Sequence, residues 1–239
     1  MVSSQSLSQH QSSTVRAHYR IACTRKIVSE RLHSLGMEIL RLPISNPPLS
    51  PTQPHVPILV SENCTKATKR LIVLLNNTSA ELGIISPRYA SALGHGGIAA
   101  GSAVNLVKHI RGLRALDSPD QPAILIANLG QLLWHRRAKQ AVGRHQWDAM
   151  ARKVPECPAA TIYTEKNTIP GNRTPTDHIR HVLTKVVPEI LGPEGKVQII
   201  ACFDAGWDLI DVLAENCKQI APTLNSLDGC PADILQGRS

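Results

Sequence analysis

Four short, continuously apolar runs constrain this chain more than any other feature. They read "KRLIVLL" over 69–75, "AILIAN" over 123–128, "AATIY" over 159–163 and "VQIIAC" over 197–202. A strand with one wet face alternates apolar and polar residues. A strand without that alternation is buried on both faces, as in a parallel sheet covered by helices. Helical spacing fills the gaps between the runs. Val104, Val107, Ile110 and Leu113 share one face of 101–113. Ile179, Val182, Leu183, Val186, Val187 and Ile190 share one face of 176–191, with Thr176 as its N-cap. Leu209, Ile210, Leu213 and Cys217 mark 207–220. Strand and helix in alternation predict an α/β fold with right-handed crossovers. No internal repeat interrupts the pattern.

The segment ahead of these runs reads differently. Residues 1–25 are rich in Ser and Arg and carry no acid, a composition that suits either a mitochondrial transit peptide or a disordered tail. Ile27, Leu32, Leu35 and Ile39 predict a short helix over 26–40. Five prolines from Pro43 to Pro54, followed by Pro57, predict an extended linker. The expected division is a basic N-terminal region over 1–55 and a folded domain over 56–239. Hydrophobic residues make up 42% of the chain but aromatics only 3%, so the core must be aliphatic. No apolar run reaches the roughly 18 residues of a membrane helix.

The net charge of +8 favours acidic partners, nucleic acid or anionic surfaces. Arg136, Arg137, Lys139, Arg144, Arg152 and Lys153 concentrate part of it within 136–153. No aromatic-rich strand motif of the RNA-binding kind accompanies them. The cysteines at 23, 64, 157, 202, 217 and 230 form no CxxC pair, which argues for reduced thiols rather than a zinc knuckle or a disulfide framework. The histidines show no metal-ligand spacing, so neither metal nor cofactor is expected.

The junction after the fourth run carries the chemistry. "ACFDA" over 201–205 has the small-x-apex-x-small pattern of a nucleophile elbow, the tight strand-to-helix turn that presents a catalytic side chain. Its apex is Phe203, the only phenylalanine of the chain. A benzyl group has no proton to lose and no lone pair to attack with. Cys202 and Asp204 stand one residue off the apex, and no G-x-S-x-G occurs. A triad in this order would also need an acid and a histidine further on, yet the 33 residues after Gly206 contain no histidine. The alternative enzyme reading takes Cys202 as nucleophile, His178 or His135 as base, and the "GHGG" backbone over 94–97 as oxyanion hole. Loops 76–100 and 129–158 follow strand ends, the edge where open α/β sheets bind ligands.

Four stretches, "ELGIISPRYASALGHGGIAAGSAVNLVKHI", "ILIANLGQLLWHRRAKQAV", "NTIPGNRTPTDHIRHVLTKVV" and "VQIIACFDAGWDLIDVL", together resemble the fungal Argonaute-binding-protein-two domain. That domain also occurs at the C-terminus of fungal class II histone deacetylases. The resemblance covers residues 56–215. It implies a three-layer α/β-hydrolase-like fold, with a mostly parallel sheet and helices on both faces, truncated here at the C-terminal side. It further implies a pseudoenzyme: a non-catalytic protein-binding domain in RNA silencing or heterochromatin, in the nucleus or cytoplasm. Its expected partners are Argonaute or a histone deacetylase, with nucleic acid reached only indirectly and no membrane contact. The binding residues expected at the C-terminal sheet edge are Asn128, Gln131, Trp134, His135, Asn172, His178, Phe203 and Asp204.

Overall fold

Leu71, Val73 and Leu75 point to one face of the central sheet and Ile72 and Leu74 to the other, and all five are buried. Their run lacks alternation because helices cover both faces. The structure, a computed structural model, describes residues 22–65, 68–90, 97–112, 121–149, 164–192 and 194–228. The expected strand over 159–163, the first three residues of "GHGG", Arg152, Lys153 and residues 1–21 lie outside these.

In chain order the elements are helix α1 over 22–34, β1 Met37–Leu42, β2 Val56–Ser61, β3 Arg70–Leu75, α2 Pro87–Ala90, α3 Gly97–Ala100 and α4 Ala103–Gly112. There follow β4 Ala123–Ala127, the hairpin strands β5 Leu133–His135 and β6 Gln140–Val142, α5 Arg144–Ala149 and α6 Pro175–His181. A π-helical turn, Val182–Val186, continues into α7 Val187–Ile190. Then come β7 Lys196–Ala201, α8 Ala205–Ile220 and β8 Leu224–Asp228. Among the described residues the main sheet has six strands in the order β1-β2-β4-β3-β7-β8. Strands β4, β3, β7 and β8 run parallel, and β2 is antiparallel to both its neighbours, β1 and β4.

Two aliphatic cores make the three layers. Helices α6 to α8 cover one face through Ile179, Val182, Val186, Leu209 and Val212. Helices α1 and α4 cover the other through Val28, Leu32, Val104 and Val107. This is an α/β fold with a mostly parallel mixed sheet. Among the described residues no helix is long and apolar enough to cross a membrane.

Three local departures from expectation have plain causes. The helix expected over 26–40 stops at 34, where Gly36 takes φ 72° and turns the chain, and 37–42 pairs with β2 as an edge strand. The sheet therefore begins ahead of residue 56, the expected start of the folded unit. Thr174, not Thr176, caps α6. Its hydroxyl accepts from the Asp177 N–H at 3.1 Å, and Pro175 takes the first helical position. Thr176 donates instead to Asp208 of α8 at 2.6 Å. The third departure is the π turn. Pro188 has no N–H for the Thr184 carbonyl, and the Gln219 side-chain amide donates to that carbonyl at 3.2 Å.

Candidate functional site

Strands β4, β3 and β7 end side by side, and the residues that follow them are Asn128, Asn76 and Cys202–Phe203. The elbow forms at the end of β7. Phe203 adopts φ 55°, the left-handed region, which costs a non-glycine residue on the order of 1–2 kcal/mol. Its surroundings hold it there. The Cys202 N–H extends the ladder to the Leu75 carbonyl at 3.0 Å, and α8 starts at Ala205. Ala201, Ala205 and Gly206 are buried, so the turn closes only because its flanks are small. The apex side chain is thrown outward: Phe203 is 65% exposed, and Trp207, one helical turn on, is 59% exposed.

Asp204 ties this turn to the loop after β3. The Thr78 N–H donates to one carboxylate oxygen at 3.2 Å and the Thr78 hydroxyl donates to the other. The carboxylate also sits at the N-terminus of α8, where negative charge is favoured. Thr78 in turn lines a cavity of about 500 Å³ between the loops that follow β3 and β4. Its wall is mainly apolar, including Ile84, Leu129, Leu132 and Val142, with Gln131, Glu81 and Gln146 among its polar members. The two loops touch backbone to backbone: a Cβ on Gly130 would lie 1.9 Å from the Ala80 carbonyl oxygen, so only glycine fits. Glu81 is buried beside this cavity. Burial pushes its pKa up, against the opposing pull of Arg25, 3.7 Å away, and of the Gln146 amide.

Beneath the cavity runs a buried polar chain. The Gln131 N–H donates to Asn128 Oδ1 at 3.1 Å, and Gln131 Oε1 accepts from the Leu82 N–H at 2.9 Å. The Asn128 N–H donates to His178 Nε2 at 3.3 Å. A backbone donor at Nε2 puts the imidazole proton on Nδ1, which donates to Asn172 Oδ1 at 2.6 Å. His181 reaches the same oxygen at 3.1 Å. His178 is 0% exposed, and burial, helped by the charge of His181, pulls its pKa down to about 3. Asn76 joins the chain from above: its Oδ1 accepts from the Leu129 N–H at 3.1 Å and its amide donates to the Glu81 carbonyl at 3.3 Å.

Asn128, Gln131, Asn172 and His178 are thus brought into one hydrogen-bonded set, while Phe203 and Asp204 form a separate group at the surface. Trp134 is buried with its ring 5.0 Å from that of His55. His135 closes the β5–β6 hairpin by accepting from the Ala138 N–H at 3.0 Å and packs edge-on against Trp147. Among the described residues no group of His, Cys, Asp and Glu is arranged to hold a metal ion. Sequence reasoning missed Asn76, Thr78, Glu81 and His181. A signal existed for Glu81, the sole acid between residues 76 and 100.

Comparison with known families gives one match: the family model described as the Arb2 domain matches residues 7–228, well over half the chain. Comparisons with curated proteins and with solved structures give no match.

Proposed function

The chain belongs to the Arb2 domain family, and from that premise we propose that it is a non-catalytic, α/β-hydrolase-like interaction domain. Its work lies in RNA silencing or in histone deacetylase complexes, in the nucleus or cytoplasm. The partner is a protein, Argonaute or a deacetylase, and nucleic acid is reached only through it.

The observation that carries this reading is Phe203 at the strained apex of the β7–α8 turn. The apex is where a hydrolase needs an ionisable nucleophile, and a benzyl group supplies none. Two neighbours support the same reading. Burial pushes the Cys202 thiol up, away from the thiolate that attack requires. Both ring nitrogens of His178 are engaged inside the protein, leaving neither for a proton from Cys202. The exposed pair Phe203 and Trp207 suits contact with a protein, since aromatic side chains are enriched at the centres of interfaces.

The test has two arms. Tagged protein purified from cells should retain Argonaute or a histone deacetylase, and Trp207→Ala should weaken that retention. Purified protein should leave simple esters and amides intact. Ester turnover that disappears in Cys202→Ala would replace this reading with the cysteine hydrolase.

A further inference from the structure

A second cleft opens between α1, the β1–β2 hairpin and the turn of the β5–β6 hairpin. It encloses about 610 Å³. Its charged lining is Arg25, Lys26, Arg41 and Lys139 against a single acid, Glu30. Lys26 sits 3.9 Å from Glu30 on one face of α1, and Arg25 is shared with Glu81 at 3.7 Å. Arg41 and Lys139 have no ion-pair partner among the described residues. The Arg41 Nε is also buried with no hydrogen bond, and a guanidinium N–H left so is costly.

Lys139 adds an independent sign. It takes φ 50°, the left-handed region, at the last position of the hairpin turn, where glycine or asparagine is the usual residue. A strained, charged residue at a cleft rim is the kind of outlier that points to a ligand. The remaining wall is apolar, with Ile39, Pro57 and Leu59, and Ile39 stands half exposed on it. Two unpaired cations beside an apolar wall fit a small ligand that is anionic at one end and planar or apolar at the other.

We propose that this cleft binds a phosphate monoester of mononucleotide size, with Arg41 and Lys139 holding the phosphate. Arg41 would meet the phosphate through the terminal N–H groups of its guanidinium, since its Nε is closed to the cleft. The apolar wall would take the organic part.

Calorimetric titration and thermal shift of the full chain test this, with adenosine monophosphate, inorganic phosphate and adenosine as probes. The expected result is saturable binding of the nucleotide, weaker binding of inorganic phosphate and none of adenosine. Arg41→Met should weaken nucleotide binding by roughly tenfold or more. Lys139→Gly should weaken it similarly while folding at least as well, since glycine accepts that backbone angle. Lys185→Gln, a charge removed from the far π turn, should leave binding as it was. The proposal is overturned if neither anion binds at millimolar concentration, if nucleotide binding survives both cleft substitutions, or if adenosine binds as tightly as its phosphate.

Discussion

His178 Nδ1 lies 2.6 Å from Asn172 Oδ1, and the imidazole is held neutral in this contact. Protonation would put a second proton on Nε2, facing the Asn128 N–H that now donates to it. The unfolded chain titrates this histidine near 6.5 and the folded protein only near 3. Between those values the unfolded state binds more protons, so stability is intact above pH 6.5 and is lost as pH falls through that window. One such proton gives a slope of about 1.4 kcal/mol per pH unit. Chemical denaturation across this range should show that acid limb, and His178→Gln, though less stable at neutral pH, should show a flatter one. An equally steep limb in the variant would place the titrating group elsewhere.

Phe203→Ser restores a hydroxyl at the elbow apex and should give no esterase activity above the wild-type background. The hydroxyl would lack a base, since both His178 nitrogens are committed and buried. Initial rates on an activated aryl ester measure it. Phe203→Gly, by relieving φ 55°, should hold or raise thermal stability by about 1 kcal/mol. Loss of stability in that variant would mean the exposed ring packs against something in solution.

The parts of the fold legible in the sequence are those where one physical demand fixed many residues. Burial on both faces wrote β3 and β4 as apolar runs, β7 buries Val197, Ile199 and Ala201 on one face while Gln198 and Ile200 on the other are half-buried, and the tight turn at Phe203 required small residues at Ala201 and Ala205. Edge and hairpin strands carry weaker demands. Residues 37–42 bury only their first and last members and continue a helical spacing from α1, so the strand was hidden behind Gly36. The β5–β6 hairpin has three residues a side and turns through Lys139 rather than an Asn-Gly pair. The role of His178 was less legible: it stands in α6 one residue ahead of the apolar stripe that Ile179 opens, and the sequence offers it only as a binding residue or a base. Its partners Asn128 and Asn172 come from distant loops, and nothing local announces them.

Gly130→Ala should unseat the contact between the loops after β3 and β4. The added Cβ would lie 1.9 Å from the Ala80 carbonyl oxygen, a backbone atom that cannot rotate away. Relief requires the loops to part, with a loss of roughly 1–3 kcal/mol as for overpacked sites. Hydrogen exchange at Leu82 and Leu129, whose N–H groups bond across these loops, should accelerate in step. Unchanged protection at both amides would show that the loops do not meet this closely.

Glu81→Gln should stabilise the protein at neutral pH and not at acid pH. Burial raises the carboxyl pKa in the fold, and Arg25 and Gln146 only partly offset it. Below pH 4.5 the side chain is protonated in both states and adds no pH-dependent cost. As pH rises the unfolded chain ionises first, so the folded state is progressively penalised until its own raised pKa is passed. The amide removes the buried charge, can still accept from Gln146 through its oxygen, and loses only the 3.7 Å pairing with Arg25. Denaturation midpoints for the two proteins should therefore converge near pH 4 and separate toward pH 7, with the variant the more stable. If the variant is weaker at pH 7, the Arg25 pairing outweighs desolvation, and Glu81 is an ordinary ionised partner rather than a group held against its preference beside the cavity.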